Sequence, residues 1–147
     1  MKIGVLNGPN LNFLGKREPD IYGKLTLDDL KNQILAAAKE KNITTEFAQS
    51  NTEGELIDII QKWDGDNFDG VIFNPGAYTH TSIALSDAVS SVNIPFVEVH
   101  ISNIYKREEF RRHSFTAGAA DGVISGLGFF GYIAAMHYLA QKYGEKK

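Results

Sequence analysis

Five short runs rich in β-branched and aromatic residues recur along the chain, and between them apolar residues return every three or four positions. The runs at 2–6, 45–49, 70–73, 96–101 and 122–125 predict strands. After the first, Thr26 and Asp29 stand in the spacing of a helix capping box, with Asp where Glu or Gln is usual, and Leu27, Leu30, Ile34 and Ala38 share one helical stripe. Leu56, Ile59, Ile60 and Trp63 predict a second helix, and residues 81–92 a third, closed by Pro95. A last helix over 129–143 aligns Tyr132, Ile133, Met136 and Ala140 and ends at Gly144, with Lys146 and Lys147 beyond, as helix C-termini prefer.

Alternating strands and helices predict βα units and a mostly parallel sheet. No repeat, linker or low-complexity segment interrupts the order, so residues 1–147 are expected to form one domain. The hydrophobic fraction of 43% and charged fraction of 22% are ordinary globular usage, and 147 residues can bury a core without staples. The expected fold is α/β: a flavodoxin-like, doubly wound, five-stranded parallel sheet with helices on both faces. Ligands of such sheets bind beyond the carboxyl ends of the strands.

Those ends carry NGPN at 7–10, SNTEG at 50–54, NPGAYTHTS at 74–82, HISN at 100–103 and GLG at 126–128. Each alone is compatible with plain loop formation. Amide, imidazole and hydroxyl groups gathered at one edge predict a polar ligand pocket. A net charge of −3 argues against nucleic acid as partner, since phosphate-backbone binding needs a basic face. The absence of cysteine excludes thiolate metal sites and cysteine nucleophiles. The opening apolar run is too short for a signal-peptide core, and no segment approaches a bilayer span, so a soluble cytoplasmic protein without a membrane partner is expected.

Period-two alternation in the fourth strand puts Glu98, His100 and Ser102 on one face and Val97, Val99 and Ile101 on the other. A carboxylate buried beside an imidazole has to bond to it, and the bond fixes the ring tautomer and favours its protonated form. His100 is therefore a candidate general acid oriented by Glu98; the alternative is a structural histidine with its bonds satisfied. A metal site from His80, His100 and His113 is not expected, because none has the short spacing of helix-borne ligand pairs. No G-x-x-x-x-G-K-[ST] is present. GLGFFG at 126–131 matches G-x-G-x-x-G but follows the final strand, which points to close helix–strand packing rather than dinucleotide binding. KREEFRRH at 106–113 is either a solvated charged turn or the source of one arginine for the pocket, and spacing does not choose which.

In EPDIYG at 18–23, Tyr22 sits in a polar loop just after Arg17. Half-buried packing is the ordinary role of such a tyrosine. Service as a base is the other: a phenol ionises near pH 10, so its ionised form needs about 4 kcal/mol of help near neutrality. Arg17 is close enough in sequence to supply it, with Pro19 and Gly23 shaping a lid loop over about 9–24. A tyrosinate base opposite an imidazole acid suits proton removal beside a carbonyl followed by departure of a hydroxyl, an elimination of water.

Three ordered blocks, NGPNLNFLGKREPDIYG at 7–23, FNPGAYTHTSIALSDA at 73–88 and EVHISNIYKREEFRRHS at 98–114, resemble type II 3-dehydroquinate dehydratase (type II dehydroquinase) over nearly the whole chain. The resemblance implies a flavodoxin-like fold and reversible dehydration of 3-dehydroquinate to 3-dehydroshikimate in the shikimate route, without metal or organic cofactor. That route serves chorismate and the aromatic amino acids, or quinate breakdown. The resemblance makes Tyr22 the base, Arg17 the lid residue that favours its ionised form, and Asn10 the holder of a water on the enolate. It makes His100 the acid, with Glu98 behind it and Asn74 beside it. His80, Ile101 and Ser102 correspond to binding of the substrate carboxylate, and Asp87 and Arg111 to contacts with ring hydroxyls. It also implies trimers packed into a homododecamer, with Asp87 serving a neighbouring subunit. Phe13, in place of an aliphatic residue, and TAGAADG at 116–122 depart from the pattern, Asp121 at a possible assembly contact. A flavin carrier would want a hydroxyl-rich phosphate loop after the first strand, and a non-catalytic binder of polyhydroxy acids is the remaining alternative.

Overall fold

The computed structural model describes residues 1–144. Its strands are β1 (Lys2–Asn7), β2 (Thr44–Gln49), β3 (Gly70–Asn74), β4 (Phe96–His100) and β5 (Gly122–Ser125). All pair in parallel, in the order β2-β1-β3-β4-β5. The helices are α1 (Pro19–Tyr22), α2 (Leu27–Glu40), α3 (Glu53–Gly65), α4 (Ile83–Ser91) and α5 (Phe130–Tyr143). This is the flavodoxin-like arrangement expected from the alternating pattern. None of these helices is long and apolar enough to cross a membrane.

Strand ends differ from the expected ones by a residue, and the differences matter. β1 and β3 each run one residue further, to Asn7 and Asn74, which pair with one another in register. β4 stops at His100 rather than at 101. Thr26 caps α2 in a full capping box: the Asp29 N–H donates to the Thr26 hydroxyl at 3.2 Å, and Asp29 Oδ2 accepts from the Thr26 N–H at 2.8 Å. α4 is shorter than the 81–92 expected, because Ser82 caps it and Gly76–His80 form a 3-10 segment before it. In α5 the fully buried stripe is Tyr132, Ala135, Met136 and Leu139, rotated slightly from the one expected, with Ile133 and Ala140 only partly buried. Lys146 and Lys147 lie outside the described residues.

Both faces of the sheet are covered. Ile3 and Val5 of β1, Ile72 of β3 and Val97 and Val99 of β4 pack with α2 and α5. Leu6, Val71, Phe73 and Phe96 pack on the other face with α3 and α4. Strand alternation then assigns the polar ends. Asn7 and Asn74 belong to the α2/α5 face, and Glu98 and His100 to the α3/α4 face. The chain passes from β1 to β2 on one side and returns to β3 on the other, so the crevice between these loops opens at the ends of β1 and β3.

Two glycines permit the close packing of helices on this sheet. A Cβ at Gly131 would stand 3.2 Å from Val99 Cγ1, so the second half of GLGFFG serves the approach of α5 to β4. A Cβ at Gly4 would stand 2.3 Å from the ring of Trp63, which is itself buried and cannot retreat. Gly4→Ala is therefore expected to destabilise the fold by about 1–3 kcal/mol through overpacking. Urea unfolding checks this, and wild-type stability in the variant would contradict the packing described.

Candidate active site

The loop after β1 is tied to its neighbours by the backbone. The Gly8 N–H donates to the Asn74 carbonyl at 2.7 Å, and the Asn10 N–H to Asn51 Oδ1 at 2.9 Å. Asn10 takes a left-handed conformation, φ 68°, which asparagine tolerates better than most residues. The chain then makes a 3-10 turn at Leu11–Phe13 and the single-turn helix α1, which begins at Pro19 and closes at Gly23, φ 78°. Only a loop was expected here.

Over the carboxyl edge of β1, β3 and β4 lies a polar pocket of about 170 Å³. Tyr22, Arg17 and Asn10 line it from the β1 loop, Asn74 and His80 from the β3 loop, and His100, Ile101, Ser102 and Arg111 from β4 onward. Arg107, which sequence spacing could not single out among the arginines of KREEFRRH, lines it too. Asp87 does not: it is exposed on α4, outside this pocket. Another cleft, of about 200 Å³, lies between α2 and β1–β2, but its walls are mainly apolar residues such as Leu30, Ile34 and Phe47. The convergent titratable groups are in the first.

Tyr22 is both packed and chemically engaged. Its ring lies partly buried against the α2/α5 core. Arg107 Nη1 donates to its hydroxyl at 2.6 Å, with that guanidinium 5.5 Å from the ring centroid. Arg17 lies over the ring, 5.0 Å from its centroid, while its Nη2 donates to Glu18 Oε2 at 3.2 Å. Two guanidinium groups therefore flank the phenol, and the one bonded to oxygen is Arg107.

His100 and Glu98 form a buried pair, with Nε2 donating to Oε2 at 3.1 Å. That leaves Nδ1 as the ring nitrogen without a hydrogen bond among the described residues. Glu98 is 1% exposed, and His100 alone does not satisfy it. Its Oε1 accepts from the Thr79 hydroxyl at 2.8 Å and from the Thr116 hydroxyl, and its Oε2 from the Ser114 hydroxyl at 3.0 Å. Burial pushes the Glu98 carboxyl up; the hydrogen bond and charge of His100, with the Thr116 and Thr79 hydroxyls, outweigh burial and hold it below its ordinary value of 4.5. His80 Nδ1 donates to the His113 carbonyl at 2.8 Å, and the His80 and His100 rings stack with centroids 6.4 Å apart. Burial pushes His80 below its ordinary range; the His113 carbonyl opposes this, and the charges of His100 and Arg111 reinforce it. Among the described residues no group of three or more His, Asp or Glu side chains is arranged to hold a metal ion.

Asn74 is held at both ends. Its Oδ1 accepts from the Gly76 N–H at 3.1 Å and its Nδ2 donates to the Tyr132 hydroxyl at 2.8 Å. Tyr132 in turn donates to Asn7 Oδ1 at 2.6 Å. Ser114, Thr116 and Tyr132 carry no mark in the sequence as site residues, and Asn7 and Thr79 are marked only as members of polar strand-end loops. For the hydroxyls of Thr79, Ser114 and Thr116 the available signal was that a glutamate inside a buried strand requires several donors.

The Glu98 carboxyl, with its pKa lowered by folding, contributes stability above the ordinary carboxylate range that is lost as pH falls through its folded value. Glu98→Gln should therefore melt below wild type at neutral pH, and the gap should close as pH falls below about 4.5. Thermal unfolding across pH checks this, and a gap that is constant with pH would contradict an ionised Glu98.

The sequence model for "Dehydroquinase class II" matches residues 1–140. A 3-dehydroquinate dehydratase of Aliarcobacter butzleri is 54% identical over 147 residues, covering 100% of this chain and 89% of that protein. One from Idiomarina loihiensis is 56% identical over 135 residues, 92% of this chain and 89% of that protein. The crystal structure of a type II dehydroquinase from Butyrivibrio crossotus superposes with a TM-score of 0.93 at 52% identity, covering 95% of this chain and 97% of that one. With its whole sheet and the pocket-bearing loops inside these matches, the chain belongs to the class II dehydroquinase family.

Proposed function

We propose that this chain, a hydro-lyase by family, eliminates water from 3-dehydroquinate to give 3-dehydroshikimate, reversibly and with side chains as its only catalysts. The observation that carries this reading is a single polar pocket lined both by a phenol bonded to a guanidinium and by an imidazole backed by a carboxylate.

In the proposed reaction Tyr22, as phenolate, removes a proton from the carbon beside the ketone, and the C–H electron pair becomes an enolate. Arg107, which donates to the Tyr22 hydroxyl, and Arg17, which lies over the Tyr22 ring, are the cations beside this base. Asn10 holds a water against the enolate oxygen. The enolate then collapses: its electrons form the new C=C bond, the C–O bond to the leaving hydroxyl breaks, and His100 delivers the proton that makes it water. Proton return from Tyr22 to His100 resets the site. Glu98 stabilises the protonated imidazole, and Asn74 stands beside it. His80, the backbone at Ile101 and the Ser102 hydroxyl receive the substrate carboxylate, and Arg111 a ring hydroxyl. The short segment with Pro19 and Gly23 at its turns acts as the lid.

Asp87, exposed and outside its own pocket, serves the pocket of a neighbouring copy in a trimer, and trimers assemble into a dodecamer.

Turnover of 3-dehydroquinate, followed by the enone absorbance of its product, tests the reading. Tyr22→Phe and His100→Ala should each lower kcat by about 100-fold or more. Binding without turnover in wild type would identify a polyhydroxy-acid binder instead, and an unaffected Tyr22→Phe would remove the proposed base.

The state of His80 gives a second test. With its pKa lowered in the free protein the ring is neutral near pH 7, and an incoming carboxylate favours the charged form, so binding should take up a proton above the free value. Calorimetry in buffers of different ionisation enthalpy should show more proton uptake for wild type than for His80→Asn. Equal uptake would contradict carboxylate binding at His80.

A further inference from the structure

We propose that the buried Tyr132 hydroxyl is a positioning residue for the reaction, anchoring from behind the amide nitrogen of Asn74, whose orientation the Gly76 N–H sets, through a one-way chain of hydrogen bonds, Asn74 to Tyr132 to Asn7. This rests on the reading of the pocket as the dehydratase site with Asn74 at the substrate.

Asn7 and Asn74 are paired positions on adjacent strands and point to the same face of the sheet. Each is 3% exposed, and Tyr132, reaching them from α5, is 0% exposed. The direction of the chain is dictated from one end. The Gly76 backbone N–H can only donate, so the Asn74 atom facing it at 3.1 Å has to be oxygen. The Asn74 atom facing Tyr132 at 2.8 Å is then nitrogen, which can only donate, so the phenol oxygen accepts there. A hydroxyl has a single hydrogen, and it goes to Asn7 Oδ1 at 2.6 Å. The flipped Asn74 amide would set its nitrogen against the Gly76 N–H, which excludes it, and the Tyr132 oxygen then holds the nitrogen end in place.

Burial pushes the Tyr132 phenol well above its ordinary range, against the pull of the Asn74 bond, so it keeps its proton at any working pH. It is thus a permanent acceptor toward Asn74 and a permanent donor toward Asn7, not a second acid or base. Asn74 is left with one amide hydrogen and one oxygen lone pair to offer the pocket, in a fixed arrangement. A periodicity argument explains the Tyr132 ring as core filling but gives no reason for its hydroxyl; without the two asparagines that oxygen would lie unsatisfied in an apolar interior.

The test is a double-mutant cycle on kcat/KM with Tyr132→Phe and Asn74→Ala. Tyr132→Phe keeps the ring and removes the acceptor, and kcat/KM should fall about tenfold or more, as misplacement of a reacting-site group does. In the Asn74→Ala background the same substitution should change kcat/KM by less than about twofold, since it acts only through Asn74. Asn7→Leu, which leaves the phenol in place without its acceptor, should reproduce the loss. Additive effects of Tyr132→Phe and Asn74→Ala would overturn the proposal, as would full activity in Tyr132→Phe or loss of the folded state in both Tyr132→Phe and Asn7→Leu. Absent turnover in wild type would instead remove the functional reading beneath it.

Discussion

Glu98 is a carboxylate with almost no access to water, and the carboxyl edge of the sheet is organised around keeping it ionised. Its donors come from three stretches of chain: His100 on β4 itself, Thr79 in the segment after β3, and Ser114 and Thr116 beyond the charged turn. Removing water from a carboxylate costs several kcal/mol unless such donors replace it. One buried charge therefore fixes the imidazole and pins two pocket loops to the strand between them. The loop carrying His80 and the segment following Arg111 take their positions partly from this contact.

The two sheet faces contribute unlike chemistry to one pocket. From the α3/α4 face comes the charged pair Glu98–His100. From the α2/α5 face comes the uncharged set Asn7, Tyr132 and Asn74. Each is held from behind, Glu98 by the Thr79, Ser114 and Thr116 hydroxyls and Asn74 by the Gly76 N–H, and no buried side-chain nitrogen or oxygen among the described residues lacks a partner. A group satisfied from behind is held in one orientation, which is the condition for acting on a ligand in front. The β1 loop differs: Tyr22 is only half-buried and Asn10 exposed, and the polar side-chain contacts of Tyr22 are with guanidinium groups. That contrast suits a moving lid over a fixed floor.

The fold was legible because period two and period 3.6 report burial directly, and burial is what separates these strands and helices. The ends were less so. Asn7 and Asn74 read as loop formers, yet they extend the ladder because Tyr132 satisfies their amides. α1 was hidden because four residues make too short a period, and its start depends on Glu18 in a left-handed conformation, φ 37°. At the pocket, residues with distinctive chemistry stood out: Tyr22, His80 and His100, with Glu98 behind the last. Arg107 did not, because the 3-10 turns after β4 impose no repeat that distinguishes it from Arg111 or Arg112. Tyr132 was visible only as part of an apolar stripe, since periodicity sees its ring and not its oxygen. Asp87 carries nothing in its own chain that ties it to a pocket.

The central claim is a division of labour: Tyr22 makes the enolate and His100 expels the hydroxyl from it. Proton exchange separates the two steps. With 3-dehydroquinate in deuterium oxide, followed by NMR, the His100→Ala variant should still exchange the proton beside the ketone while elimination is lost, and Tyr22→Phe should do neither. Continued exchange in Tyr22→Phe, or loss of exchange together with elimination in a folded His100→Ala, would contradict the account.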